Sequence, residues 1–190
     1  MLTKKDLLSL EDYANKRDAI RQHTMRIKQP RSVHLGQHIR LLFENEQTIR
    51  YQIQEMLHIE KIFEADAIQE ELDAYNPLIP TGNNLKATMM IEYSDPSERK
   101  QRLAELVDIE HSVYFQIAGQ NPIFAVCDED LERQNEQKTS AVHFMRFEFN
   151  QATQSNFAQQ TVKIVAEHPS YNATATLTEA QKLALLDDFH

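Results

Sequence analysis

The spacing of apolar residues predicts helices along much of the chain. Near the N-terminus these residues recur at close to helical intervals, at Leu10, Tyr13, Ala14, Ile20 and Ile27. We expect a helix over residues 10–28, because Ser9 and Asp12 resemble a capping box and Pro30 cannot continue the helix. Similar patterns predict further helices over residues 49–64, 64–75 and 96–109, and from Thr178 onward.

Alternating apolar and polar positions predict the strands. Residues 32–35 and 38–44 form a β-hairpin pattern around Gly36-Gln37. In residues 139–149, His143 shares a face with Ala141, Met145, Phe147 and Phe149, which is typical of a core histidine, although a ligand role stays open. Other strands are predicted at residues 85–93, 113–118, 122–126 and 160–168. An acidic turn or short helix is predicted around residues 128–132.

Together these elements predict an α+β fold. We expect about seven strands in one or two mainly antiparallel sheets, with four to five helices packed against them. The length of 190 residues favours a single domain over 1–190. Its basic N-terminal helical arm (1–31) is expected to pack on the α+β body.

The central helix carries polar residues that a plain surface helix does not need. On a helical projection its apolar residues share one arc, namely Ile49, Ile53, Met56, Leu57, Ile59 and Phe63. Glu60 falls within this arc and Gln52 near its edge. A buried carboxylate is costly unless it is paired, so either Glu60 has a partner in the core or the helix leaves the core before residue 60.

The same helix contains an acid–x–x–His pair, Glu55 and His58, whose spacing matches half of a carboxylate-bridged di-iron site. A second such pair is Asp108 and His111. A di-iron bundle needs four long helices, and the β-rich second half of the chain argues against it. The alternative is a solvated acid–base pair.

Other side chains complete a candidate ligand site around residues 49–76. Arg50 would orient an anionic substrate, and Asp73 would add a further acid–base or ligand group. The predicted ligand-binding set is Arg50, Gln52, Glu55, Glu60, Asp73 and His143, with Glu55 and His58 as candidate metal ligands. The pattern names no cofactor.

Composition excludes several classes of site. The chain has 3 glycines, too scattered for a dinucleotide or phosphate-binding loop, and no Gly-x-Ser-x-Gly element. A single cysteine, Cys127, excludes an internal disulfide or a cysteine-rich metal site; it is expected to be a buried apolar residue, with a reactive thiol as the alternative. No apolar run approaches the ~20 residues of a membrane span. We therefore expect a cytoplasmic protein.

Charge is distributed unevenly along this acidic chain. The net charge of −9 disfavours nucleic acid as a partner. Residues 1–31 carry eight basic and four acidic side chains, whereas residues 51–110 carry five basic and thirteen acidic ones. A basic arm and an acidic centre attract each other or other copies of the chain, which allows a homo-oligomer.

Four stretches resemble a known family, namely residues 7–13, 50–57, 71–80 and 140–144. The chain is similar over nearly its whole length to a bacterial family of unknown function, the domain-of-unknown-function family 3501. The resemblance implies a genomic setting beside rubrerythrin-like and iron–sulfur oxidoreductase proteins, and hence an accessory role in redox or oxidative-stress metabolism. It implies no catalytic residues.

Two classes of function remain open from the sequence. The first is a non-catalytic binding or accessory protein, working with a redox or iron–sulfur protein or as a homo-oligomer. The second is a small metal-dependent enzyme or metal-binding protein with a carboxylate and histidine site around residues 49–76. Whether the protein is an enzyme is not determined at this level.

Overall fold

Two four-stranded antiparallel sheets form the centre of the protein in the computed structural model, which describes residues 1–127 and 139–189. The acidic stretch at 128–132 lies outside the described residues. The helices are α1 (Leu10–Lys28), α2 (Glu46–Glu60), α3 (Ala65–Tyr75), α4 (Pro96–Glu105), α5 (Gln151–Gln159) and α6 (Glu179–Leu186). The strands are β1 (Ser32–Leu35), β2 (Ile39–Phe43), β3 (Asn84–Ile91), β4 (Val113–Ile117), β5 (Ile123–Phe124), β6 (Val142–Glu148), β7 (Val162–His168) and β8 (Tyr171–Thr176).

The predicted α+β fold is confirmed, with six helices and eight strands among the described residues rather than four to five and about seven. The apolar pattern did not predict α5, whose side chains are mostly polar and which buries Phe157. It also missed β8, in which small alanines alternate with threonines and offer little apolar contrast. Both elements are stabilised by contacts that form only in the folded chain.

The first sheet has the order β1-β2-β3-β6 and the second the order β5-β4-β7-β8. Their inner faces share one hydrophobic core, at whose centre Phe115 of β4 meets Phe147 of β6 edge to face at 4.9 Å. The predicted alternation in β6 is confirmed, because His143, Met145 and Phe147 are buried on this inner face. Cys127 is buried as expected.

The outer face of the first sheet is covered by helices. A second, smaller apolar cluster joins Ile49, Ile53 and Leu57 of α2 to Leu72 of α3 and to Leu2 at the N-terminus. The predicted local signals begin two helices: Ser9 caps α1 by accepting from the Asp12 amide, and Asp95 with Pro96 begins α4, which packs Leu103 into the main core instead. The layer between this cluster and the sheet contains the candidate site.

A buried ion pair connects the segment before β1 to the C-terminal end of the described chain. The Arg31 guanidinium donates two hydrogen bonds to Asp188, at 2.8 and 2.7 Å, and a third to the Ala184 carbonyl at 2.6 Å. Both side chains are almost fully buried. Burial raises the pKa of the Asp188 carboxyl, and Arg31 opposes that rise.

Candidate functional site

A cavity of about 250 Å³ lies between the outer face of the first sheet and the helical layer. We call it the Glu44 cavity. Its apolar lining consists of Leu42, Ile49, Leu78, Met90, Val142 and Phe144. Its polar lining consists of Lys28, Glu44, Gln52, Tyr75 and Thr88. Apolar walls with a few converging polar groups are typical of small-molecule sites.

The sheet register builds the floor of the Glu44 cavity. Thr88 of β3 lies directly between Leu42 of β2 and Phe144 of β6, and Met90 of β3 pairs with Val142 of β6. Successive residues of a strand point to opposite faces, so these outward side chains form one continuous patch while their neighbours fill the inner core. The floor therefore depends on three strands that are far apart in the sequence.

Glu44 provides the carboxylate at one end of this patch. Glu44 follows β2 directly, and its amide donates to the Lys86 carbonyl at 2.8 Å. Because the strand pairing continues to this residue, its side chain lies on the same outer face of the sheet as Leu42. The side chain is nearly buried, with 7% of the residue exposed. Its two oxygens accept hydrogen bonds from the hydroxyls of Thr48 at 2.5 Å and Thr88 at 2.8 Å. These two threonines hold the carboxylate in one orientation.

The helices supply the roof. Ile49 and Gln52 of α2 are three residues apart and so project from the same side of the helix toward the sheet. Lys28 lies at the end of α1, where its ammonium nitrogen is 5.4 Å from the ring centroid of Tyr51. Gln52 is the one member of the predicted ligand-binding set that lines this cavity.

Glu55 has a different environment from the one predicted. Its carboxylate accepts from the Tyr13 hydroxyl at 2.6 Å and from Arg17 Nε and Nη2, both at 2.8 Å. The bonds from Arg17 lower the pKa of Glu55 to about 2, against the opposing effect of burial. Burial and the bond to Glu55 raise the pKa of Tyr13. Glu55 is thus paired with Arg17 and Tyr13 rather than with His58. A metal ion that bound to Glu55 would have to displace Arg17.

The remaining members of the predicted set do not meet in one place. Arg50 forms an exposed ion pair with Glu46 at 2.6 Å and lines a separate depression of about 330 Å³ between α1 and α2. His58 contacts the edge of the Tyr13 ring, with centroids 5.8 Å apart. Asp73 is exposed and accepts from Gln69.

Glu60 is exposed, so the expectation that it faces the core and needs a buried partner is wrong. The alternative, a helix that leaves the core before residue 60, is confirmed: α2 ends at Glu60, and Lys61 adopts a left-handed conformation with φ 56°. Ile59 is 63% exposed at the same turn. The pKa of the nearby Glu71 carboxyl is raised by burial first, and then by the charges of Glu60 and Glu70.

His143 lies on the opposite face of β6 from the Glu44 cavity and is fully buried, as expected of a core histidine. Its Nε2 is 2.9 Å from the Thr139 hydroxyl. Its Nδ1 is 3.8 Å from Oε2 of Glu110, a carboxylate that is also fully buried. Strand alternation turns His143 into the core, so the structure does not bring it together with the helical members of the predicted ligand-binding set.

One group among the described residues could hold a metal ion. Asp108, Glu110 and His111 each place a ligand atom within 4.8 Å of the others. They lie at the short helical turn before β4, where the sequence showed its second acid–x–x–His pair. His111 is more than half exposed and Glu110 is buried, so an ion here would be held from the core side and open to solvent on the other.

Glu44 was not among the candidate residues predicted from the sequence. It occurs in Leu42-Phe43-Glu44, where an acid in phase with outward strand residues looks like an ordinary exposed position. No helix was predicted to cover this face of the sheet, so the signal for a buried carboxylate was absent. Thr88, which holds Glu44, is 44 residues away in the sequence.

Comparison with known proteins gives a consistent picture. The family model described as "Protein of unknown function (DUF3501)" matches residues 1–189. The chain is also similar to a crystal structure of a novel protein of unknown function from Burkholderia pseudomallei, with 46% identity and a TM-score of 0.94. The match covers 100% of this chain and 99% of that one. A comparison with curated proteins finds none that matches.

Proposed function

This chain belongs to the DUF3501 family, and we propose that it is a non-catalytic binding protein whose ligand, a small organic molecule, occupies the Glu44 cavity. The observation that carries the proposal is the combination of six apolar side chains with a nearly buried, oriented carboxylate in one cavity. Such a site orients a ligand by a few polar contacts and holds it by apolar burial.

The geometry of the carboxylates supports binding rather than acid–base chemistry. Glu44 is held by two hydroxyl donors, and Glu55 by a tyrosine and an arginine. A general base needs a pKa near the working pH, whereas Arg17 holds the pKa of Glu55 far below that range. These side chains are arranged as fixed acceptors.

The proposal predicts that filling the cavity abolishes ligand binding. Val142→Phe adds a ring to the cavity floor and is expected to weaken any ligand found by thermal-shift screening of small organic molecules at least about tenfold. The matched control is Val165→Phe, a half-buried position on β7 of the other sheet. Equal binding by the two variants, measured by calorimetry, would place the ligand elsewhere and contradict the proposal.

The wider role is part of the same proposal. The resemblance to the family implies a neighbourhood of rubrerythrin-like and iron–sulfur oxidoreductase proteins, which supports an accessory role in redox or oxidative-stress metabolism. No helix among the described residues is long and apolar enough to cross a membrane. A cytoplasmic location is supported by the single cysteine.

Metal binding is the second candidate function, and the Asp108, Glu110 and His111 group favours it. We expect that zinc, manganese or iron bound to purified protein is lost in the Asp108→Ala, His111→Ala double variant. The Glu55→Ala, His58→Ala double variant should retain the metal, because Glu55 already pairs with Arg17. Metal-free protein whose melting temperature is unchanged by added divalent ions would overturn this candidate.

A further inference from the structure

Glu44 is a nearly buried residue whose carboxylate accepts hydrogen bonds from hydroxyl groups. Among the described residues, no lysine, arginine or histidine nitrogen forms an ion pair with this carboxylate. The Arg31 guanidinium contacts only the Glu44 main-chain carbonyl, at 3.4 Å, and is paired with Asp188. An ionised carboxylate in such surroundings is costly unless an opposite charge compensates it. Each of its oxygens accepts one hydroxyl and retains capacity for a second donor.

Among the described residues that line the cavity, Lys28 is the one with a cationic side chain. Its ammonium nitrogen lies 5.4 Å from the Tyr51 ring centroid, as in a cation–π contact. It therefore has a partner of its own at the rim of the cavity. The Glu44 carboxylate can therefore accept a further hydrogen bond from a ligand in the cavity.

From these contacts we infer that the ligand of the Glu44 cavity is a small protonated amine with an apolar body. The ammonium group donates to the Glu44 oxygens, and the apolar body contacts Met90, Val142 and Phe144. The inference rests on the proposed function and names the class of its ligand. A ligand whose head is a carboxylate or phosphate would meet Glu44 with like charge and is disfavoured.

The size of the cavity limits the apolar body. A cavity of about 150 Å³ accommodates benzene. At about 250 Å³, the Glu44 cavity has room for a single ring with a short aminoalkyl chain. Phenethylamine, phenethyl alcohol and phenylacetate share this shape and differ in the charge of the head group, which is positive, neutral and negative near pH 7.

The methionines provide a direct measurement. Met90 lines the cavity, whereas Met25 is 44% exposed on α1 and Met89 and Met145 lie in the core between the sheets. The methyl signals of methionine-labelled protein are titrated with the three probes. We expect phenethylamine to shift the Met90 signal with an affinity at least about tenfold higher than that of the alcohol, and phenylacetate to bind most weakly.

Variants assign the preference to Glu44. Glu44→Gln keeps the size of the side chain but removes its charge and replaces one acceptor oxygen with an amide donor. In this variant the preference for the amine over the alcohol should fall to about threefold or less. The matched control is Glu46→Gln, which removes an exposed carboxylate outside the cavity and should leave the preference for the amine unchanged. The wild-type comparison of the three probes needs no variant, so the inference stays testable even if Glu44→Gln folds poorly.

The outcomes separate the inference from the proposed function. If the alcohol or phenylacetate shifts Met90 as strongly as the amine, and Val142→Phe abolishes that shift, the inference is overturned and the binding site stands. If none of the probes shifts Met90, the inference is overturned and the binding function loses its support. A shift confined to Met25 would mean surface attraction of a cation and would overturn the inference.

Discussion

Replacing Arg31 with methionine is expected to lower the free energy of unfolding by about 3–5 kcal/mol. Arg31 and Asp188 are both nearly buried and joined by two hydrogen bonds. Removing the guanidinium leaves the Asp188 carboxylate in the interior without its cation, and the Ala184 carbonyl without a donor. Urea denaturation followed by circular dichroism measures the loss.

A double variant distinguishes the unpaired charge from lost packing. Arg31→Met with Asp188→Leu should be more stable than Arg31→Met alone, because the orphaned carboxylate is then absent. The matched control is Arg102→Met, whose ion pair with Glu105 is exposed and screened by solvent, so this variant should unfold close to the wild type. A double variant as unstable as the sum of its single changes would contradict this account.

The second large effect is a pH-dependent contribution from Glu55. Its folded pKa of about 2 lies below its ordinary value of 4.5, so the folded state favours the ionised form. The stabilisation is therefore fully present above pH 4.5 and is lost as the pH falls from 4.5 toward 2. We expect Glu55→Gln to cost about 1–2 kcal/mol near pH 7, a value reduced from the full shift because Arg17 is partly exposed to solvent.

The measurement is urea denaturation of the wild type and Glu55→Gln at several pH values between neutral and about 3.5. The difference in the free energy of unfolding between the two proteins should stay constant down to about pH 5 and become smaller below it. Glu46→Gln is the control, since Glu46 forms an exposed ion pair with Arg50 near the start of α2. A difference in unfolding free energy that stays constant to the lowest pH would contradict this prediction, because it would show that Glu55 acts through hydrogen bonding alone.

Local signals in the sequence predicted several element boundaries well. Ser9 and Pro30 frame α1, and Asp95 with Pro96 begins α4, because caps and prolines act on their own neighbours. The end of α2 was harder to predict. Lys61 takes a left-handed conformation in which glycine or asparagine is usual, so nothing in the local sequence indicated that Glu60 lies past the buried part of the helix.

The candidate site was predictable only in part. Gln52 was identified because it lies near the edge of the apolar arc of α2, and it does line the Glu44 cavity. The expected attraction between a basic arm and an acidic centre agrees with the ion pair between Arg17 and Glu55. The sequence did not predict which two residues form it. Net charge acts over long distances, whereas a hydrogen bond depends on the packing of α1 against α2.

The sequence by itself determined the α+β character and the two-faced alternation of β6, and it favoured a core position for His143. Those features follow from periodicity, which is a local property of the chain. Tertiary structure alone decided that Glu44 would be buried, since its environment is created by Thr88 in β3, by β6 and by the helices above them. Arg31 and Asp188, 157 residues apart, illustrate the same rule. Burial of a charge depends on what packs over it, and that is set by contacts between elements distant in the sequence.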